Sequence, residues 1–209
     1  YYQLNFDEIY ICDYDQIDSI ELDNLLKEAE YLVCADFSFS EKEMDEIIVP
    51  ACREGKKIVY IYDHHESSMF LNNEKYKNIG NLYIVHDKER SGTKIFFEEY
   101  IKNVLGKKRN KLAIIEFVNL VSTYDLYQYD SELWEKALSL NRLIYRQINF
   151  DITGLDKYSE FIEESLKKLE KDTFEFTDYE NKLIEKVIND EKNDRSEERR
   201  VGKECRSRW

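Results

Sequence analysis

Tyr31-Leu32-Val33-Cys34-Ala35-Asp36 and Ile58-Val59-Tyr60-Ile61-Tyr62-Asp63-His64-His65 are the two stretches that decide the fold of this chain. Each is a short run rich in β-branched and aromatic residues, lacks polar alternation, and stops abruptly at charged or titratable side chains. Parallel strands buried on both faces have that character. Ile9-Tyr10-Ile11-Cys12 upstream and Leu82-Tyr83-Ile84-Val85 downstream repeat the pattern. Between these runs, residues 21 to 29 and 41 to 54 have helical spacing, and the second stretch opens with Ser40 and Glu43 at the spacing of a capping box. Pro50 should kink or shorten that helix, because it has no N–H to continue the ladder. A further helix is expected after Ser91-Gly92. Strands alternating with helices imply an α/β fold with a doubly wound, mostly parallel sheet.

The rhythm changes near residue 107. Leu112, Ile115, Phe117 and Leu120 are spaced helically, and residues 131 to 148, 155 to 171 and 178 to 190 follow suit, the last preceded by Thr177 and Glu180 as a second capping box. These helices carry charge on most faces and read as a cap or an arm rather than a second core. The expected organisation is an α/β domain over residues 1 to 150 and a helical extension over 151 to 194. Residues 195 to 209 resemble the in-frame translation of a sequencing adapter and are expected to be foreign to the native protein. The opening Tyr1-Tyr2-Gln3, without an initiator Met, is expected to be a truncation.

Charge narrows the partners. The whole chain has a net charge of −13; the last fifteen residues hold six of the 31 basic and three of the 44 acidic residues, which leaves −16 for the remainder. So acidic a balance argues against a broad face for long duplex DNA, whose binding depends on phosphates neutralised by Lys and Arg. A nucleotide or a short single strand is still compatible. No apolar run approaches the roughly 18 residues of a membrane span. Cys12, Cys34 and Cys52 lie in apolar stretches without metal-site spacing and read as reduced core thiols of a cytoplasmic protein.

Candidate chemistry gathers where strands end, which is where open α/β sheets place their ligands. The second run ends in Asp36 and the third in Asp63-His64-His65. An Asp followed by two His offers metal donors together with a carboxylate to fix an imidazole tautomer. A solvated surface turn is the competing reading of the two histidines. Ser91, Gly92 and Thr93, at a helix start, could give backbone N–H groups to a phosphate, or Ser91 could be a plain N-cap. His86-Asp87 is expected in a solvated charged loop with Lys88, Glu89 and Arg90. The cluster Lys107, Lys108, Arg109 and Lys111 reads as a charged helix start. Sixteen tyrosines raise the possibility of base stacking, but Tyr10, Tyr31, Tyr60 and Tyr62 fall in expected strands, where core packing is the default, and Trp134 reads as a helix packing residue.

Taken in order, Ala35-Asp36-Phe37-Ser38, Tyr62-Asp63-His64-His65-Glu66-Ser67, Ser91-Gly92-Thr93 and Tyr124-Asp125-Leu126-Tyr127 resemble the motifs of the DHH phosphoesterases. The resemblance covers about residues 5 to 150. It implies two divalent metals, usually manganese with magnesium an alternative, bridged by Asp36. It further implies His64 and Asp125 as ligands of one metal, His65 over the substrate phosphate, and Asp63 behind the ligands. The activity implied is hydrolysis of a phosphodiester in a short oligonucleotide or nucleotide by a metal-activated water, the two cations standing about 3.5 to 4 Å apart. A manganese pyrophosphatase-like hydrolase and a degenerate, non-catalytic nucleotide-binding domain are the alternatives. Carboxylate and imidazole donors suit manganese, although affinity order alone favours other metals. The family's first motif, His-x-Asp-x-Asp, has no good counterpart: Asp13-Tyr14-Asp15 has the spacing, but stands one strand out of place and reads as a solvated loop. The Gly-rich downstream domain of the family is missing as well, so this chain alone is expected to be inactive.

Overall fold

A computed structural model describes residues 29–101, 112–147, 164–165 and 167–206. The run Ile9–Cys12, the helix at 21 to 29 apart from its last residue, Asp13 and Asp15, the basic cluster at 107 to 111 and most of the helix at 155 to 171 lie outside the described residues.

Three strands form a parallel sheet in the order β1 (Tyr31–Ala35), β2 (Ile58–Asp63), β3 (Leu82–His86). In register, Ala35 faces Tyr62 and Asp63 faces His86, so the three strands end together at one edge of the sheet. Among the described strands the order advances without reversal. Helices nevertheless cover both faces, as the alternation along β2 requires. Val59 and Ile61 point into one layer with Met44, Ile48, Val49 and Cys52. Tyr60 and Tyr62 point into the other, against Phe96 and Tyr100, with ring centroids 5.2 to 6.2 Å apart. Tyr62 is buried as a strand tyrosine should be, whereas Tyr31 and Tyr83 are largely exposed.

Helix α1 runs through three consecutive segments, Glu41–Glu43, a π-helical Met44–Ile48 and Val49–Arg53. Its capping box forms as expected: the Ser40 hydroxyl accepts the Glu43 N–H, and Glu43 accepts the Ser40 N–H at 2.7 Å. Pro50 does not shorten the helix. The π segment stands immediately before it, with the Val49 N–H reaching back to Met44, so the wider turn accommodates a residue that cannot donate. Two 3₁₀ segments, Glu66–Asn72 and Glu74–Tyr76, connect β2 to β3. Helix α2 follows β3 as Gly92–Ile95, continued by a π-helical Phe96–Ile101.

Beyond it the expectation of a coreless arm fails. Helices α3 (Leu112–Asp125) and α4 (Trp134–Gln147) pair through Ala113, Phe117, Leu120, Ala137, Leu140 and Ile144, and Phe174 is buried among them. Charged side chains close this second core rather than solvate it. Glu116 accepts from Lys136 at 2.7 Å and from the Phe174 N–H at 3.0 Å, and Lys168 pairs with Glu180 in the interior. Helix α5 (Asp178–Arg206) starts on the predicted capping box, Glu180 accepting the Thr177 N–H at 2.8 Å, and is tied to α4 by a two-pronged Arg142–Glu191 pair. The helix crosses residue 195 without a break.

Phe174 fills this second core from a non-helical segment, so Phe174→Ala should cost about 3–5 kcal/mol. Denaturant unfolding would measure it, and a loss below about 1 kcal/mol would mean that α3 and α4 hold together without that ring.

Candidate metal centre

The site begins with a buried carboxylate. Asp63, the last residue of β2, is 1% exposed, and its Oδ1 accepts from the His64 N–H at 2.7 Å, the His65 N–H at 3.3 Å and the His65 Nδ1–H at 2.6 Å. Burial opposes ionisation of Asp63, but the His65 imidazole, the Ser68 hydroxyl and the His65 N–H overcome it and hold the carboxyl well below the usual carboxylate range. The partnership works in both directions: Asp63 raises the pKa of His65 against the effect of burial. One side chain thereby fixes the turn that follows the strand and the tautomer of the second histidine.

A second histidine-based contact supports the same turn from β3. His86 Nε2 lies 2.8 Å from the His65 carbonyl, and its Nδ1 lies 3.0 Å from the Asn72 side-chain amide. A carbonyl only accepts, so Nε2 carries the proton and Nδ1 accepts from Asn72. His86 is therefore the half-buried final residue of β3 and a brace for the Asp-His-His turn, where a solvated loop was expected. The neighbouring Asp87 and Arg90 pair at 2.6 Å, and Arg90 also reaches Glu98 and Glu99 at 2.9 Å.

Asp36 arrives from the adjacent strand. Its N–H bonds the Tyr62 carbonyl at 2.8 Å, extending the β1–β2 ladder by one residue, and its φ of 63° then turns the chain out of the sheet. Left-handed φ is uncommon outside glycine, though Asp tolerates it better than most residues. Gly92 presses against this residue so closely that a Cβ would lie 2.4 Å from the Asp36 Cα and 2.5 Å from its Oδ1. Of the three residues considered for phosphate binding, then, Gly92 makes room for Asp36. Ser91 is fully buried as the N-cap of α2, its hydroxyl accepting the Lys94 N–H at 3.2 Å. Thr93 is half-buried in the first turn.

These elements bring Asp36 and His64 together with Asp125, which ends α3. His64 Nε2 is 3.2 Å from Asp36 Oδ1 and 3.2 Å from Asp125 Oδ2. All three atoms are buried, and none has a partner in hydrogen-bonding direction. Buried polar atoms without partners are costly and rare, and a shared cation is one thing that would satisfy the three together. The Asp125 and Asp36 carboxylates beside it push His64 up to about 10, against the effect of burial. His65 lies alongside, its ring centroid 4.3 Å from that of His64. Donor atoms of Asp36, His64 and His65 fall within 4.8 Å of one another, so this group could hold a metal ion, with nothing in it that selects a particular metal.

The sequence shows the turn after Asp125 only as part of a motif. It carries Tyr127 and Tyr129 into solvent beside Tyr124 and Trp134.

Removing the brace should loosen the site without unfolding it. His86→Ala is expected to weaken divalent-metal binding about tenfold, the usual effect of losing a residue that orients a ligand. Calorimetric titration would register this, and an unchanged affinity would show that Asp63 alone holds the turn.

Comparison with protein-family models, with curated proteins and with solved structures found no match for this chain.

Proposed function

We propose that this chain carries a divalent-metal site of a phosphoester hydrolase acting on nucleotides or short oligonucleotides. The observation that carries the reading is the convergence of Asp36 Oδ1, His64 Nε2 and Asp125 Oδ2 as buried atoms lacking hydrogen-bond partners, at the edge where β1 and β2 end. Two carboxylates and an imidazole form a set that binds cations through oxygen and nitrogen. Manganese or magnesium is the metal we assign to it. When bound, such a metal lowers the pKa of a coordinated water and stabilises charge on a phosphoryl oxygen.

The chain's own residues divide the remaining work. Asp36, His64 and Asp125 hold the cation, and Asp63 keeps the turn in place and the His65 Nδ1 protonated. His65 then stands next to the ligand cluster with a fixed ring orientation, where it would face the substrate phosphate. The acidic balance of the chain supports a metal as well, because an anionic ester approaching a net charge of −13 needs a local cation. A second metal would draw on residues beyond this cluster.

Metal titration tests the assignment directly. His64→Ala should abolish manganese binding while leaving the melting temperature within a few degrees of the parent, and an unchanged affinity would remove His64 from the ligand set. A chelator should likewise abolish any hydrolysis of a dinucleotide. Turnover of inorganic pyrophosphate with none of the dinucleotide would instead favour the pyrophosphatase-like reading.

A further inference from the structure

We propose that Tyr124, Tyr127, Tyr129 and Trp134 form a nucleobase-stacking subsite for a nucleotide whose phosphate lies at the metal cluster; this rests on the phosphoester reading above. The four rings close on themselves. Centroids are 6.3 Å apart for Tyr124–Tyr127, 6.0 Å for Tyr127–Tyr129, 4.6 Å for Tyr129–Trp134 and 5.8 Å for Tyr124–Trp134, the last pair within 9° of parallel. Half of this cluster faces water: Tyr127 is 62% and Tyr129 64% exposed.

The backbone at Tyr127 is left-handed. The Tyr127 N–H bonds the Tyr124 carbonyl and the Gln128 N–H bonds the Thr123 carbonyl, each at 3.0 Å, the paired bonds of a Schellman motif closing α3. Tyr127 therefore holds the left-handed position of that motif, with φ 51°. Glycine takes that place at no steric cost, whereas a bulky aromatic there is strained. Burial does not compensate, since most of the Tyr127 ring is in solvent. A residue that costs backbone strain and returns little packing is a candidate for a role in binding.

Position names the ligand. Asp125, whose Oδ2 faces His64, and Tyr124, a member of the ring cluster, are consecutive residues at the end of α3, so one helix end carries both a candidate metal ligand and the rings. Stacking on π-faces is tolerant of base identity and needs no basic side chains, which suits an acidic chain. The subsite would favour nucleotides over inorganic pyrophosphate and discriminate only weakly among bases.

The full chain loaded with manganese should be titrated calorimetrically with adenosine 5′-monophosphate and with ribose 5-phosphate, which present the same phosphate with and without a base. The nucleotide should bind at least about fivefold more tightly. Tyr129→Ala and Tyr127→Gly should each reduce that preference and leave manganese affinity unchanged. Tyr127→Gly should melt no lower than the parent, because glycine suits the left-handed position, so its loss of preference cannot be ascribed to unfolding. Equal affinity for the two ligands, or a preference that survives both substitutions, overturns the subsite and leaves the phosphate reading standing. Failure of both ligands to bind the metal-loaded chain overturns the subsite and that reading together.

Discussion

Everything at the candidate site depends on the single buried carboxylate that ends the central strand. Asp63 is enclosed, and its Oδ1 gathers two backbone N–H groups and an imidazole N–H within 3.3 Å, while its Oδ2 is buried without a hydrogen-bond partner. Burying an uncompensated carboxylate costs several kcal/mol, and hydrogen bonds of this kind are the usual compensation. The same three contacts decide where the chain goes after the strand. They set the backbone of His64 and His65, which directs His64 toward Asp36 and Asp125 and fixes the ring of His65 beside it. The His86 contact to the His65 carbonyl secures the far end of the turn from β3.

Against this rigid frame, the ligand cluster itself is poorly satisfied. Three polar atoms face one another in the interior without hydrogen bonds, Asp36 occupies left-handed backbone, and Gly92 stands where no other residue fits. Each feature is unfavourable to folding on its own. The stability that tolerates them comes from elsewhere: the Val59, Ile61, Met44 and Ile48 layer on one face of the sheet, the tyrosine layer on the other, and the α3–α4 core closed by Phe174. Departures from local rules that gather at one place, with regular packing around it, are what a functional site looks like in physical terms.

What the sequence made legible was whatever depends on local pattern. The three described strands follow from continuous apolar runs, and the capping boxes at Ser40 and Thr177 follow from side-chain spacing alone. The convergence of Asp36 with His64 follows from neighbouring parallel strands that end in register. What it hid depends on distance in the chain. Ending the β3 run at Val85 rather than His86 was an error of one residue, but it turned a brace into a loop histidine, because only a strand residue pairs opposite Asp63. Gly92 is an ordinary helix-start glycine until the structure places Asp36 against it. The second core went unread because its charged residues, Glu116, Lys136, Lys168 and Glu180, pair with one another and with backbone, and a lone helix with those side chains resembles a solvated one.

The acidity of the chain and the character of the site bear on one another. Recognition of a phosphate ester usually draws on Lys and Arg, which bring affinity together with strong dependence on salt. Among the described residues near this site, Arg90 is engaged by Asp87, Glu98 and Glu99, and Lys88 by Glu66, so neither is a ready partner for phosphate. In the proposed function, a cation held by Asp36, His64 and Asp125 would concentrate positive charge at one point instead of spreading it over a face. Such a point charge grips a phosphate of any length of strand but offers a long duplex no continuous surface. On the proposed reading, affinity beyond the phosphate would draw on uncharged contacts, the exposed rings that follow Asp125 in the chain. A small or single-stranded ligand, whose base is free to stack, meets both conditions; a paired one, whose bases are already stacked on one another, meets only the first.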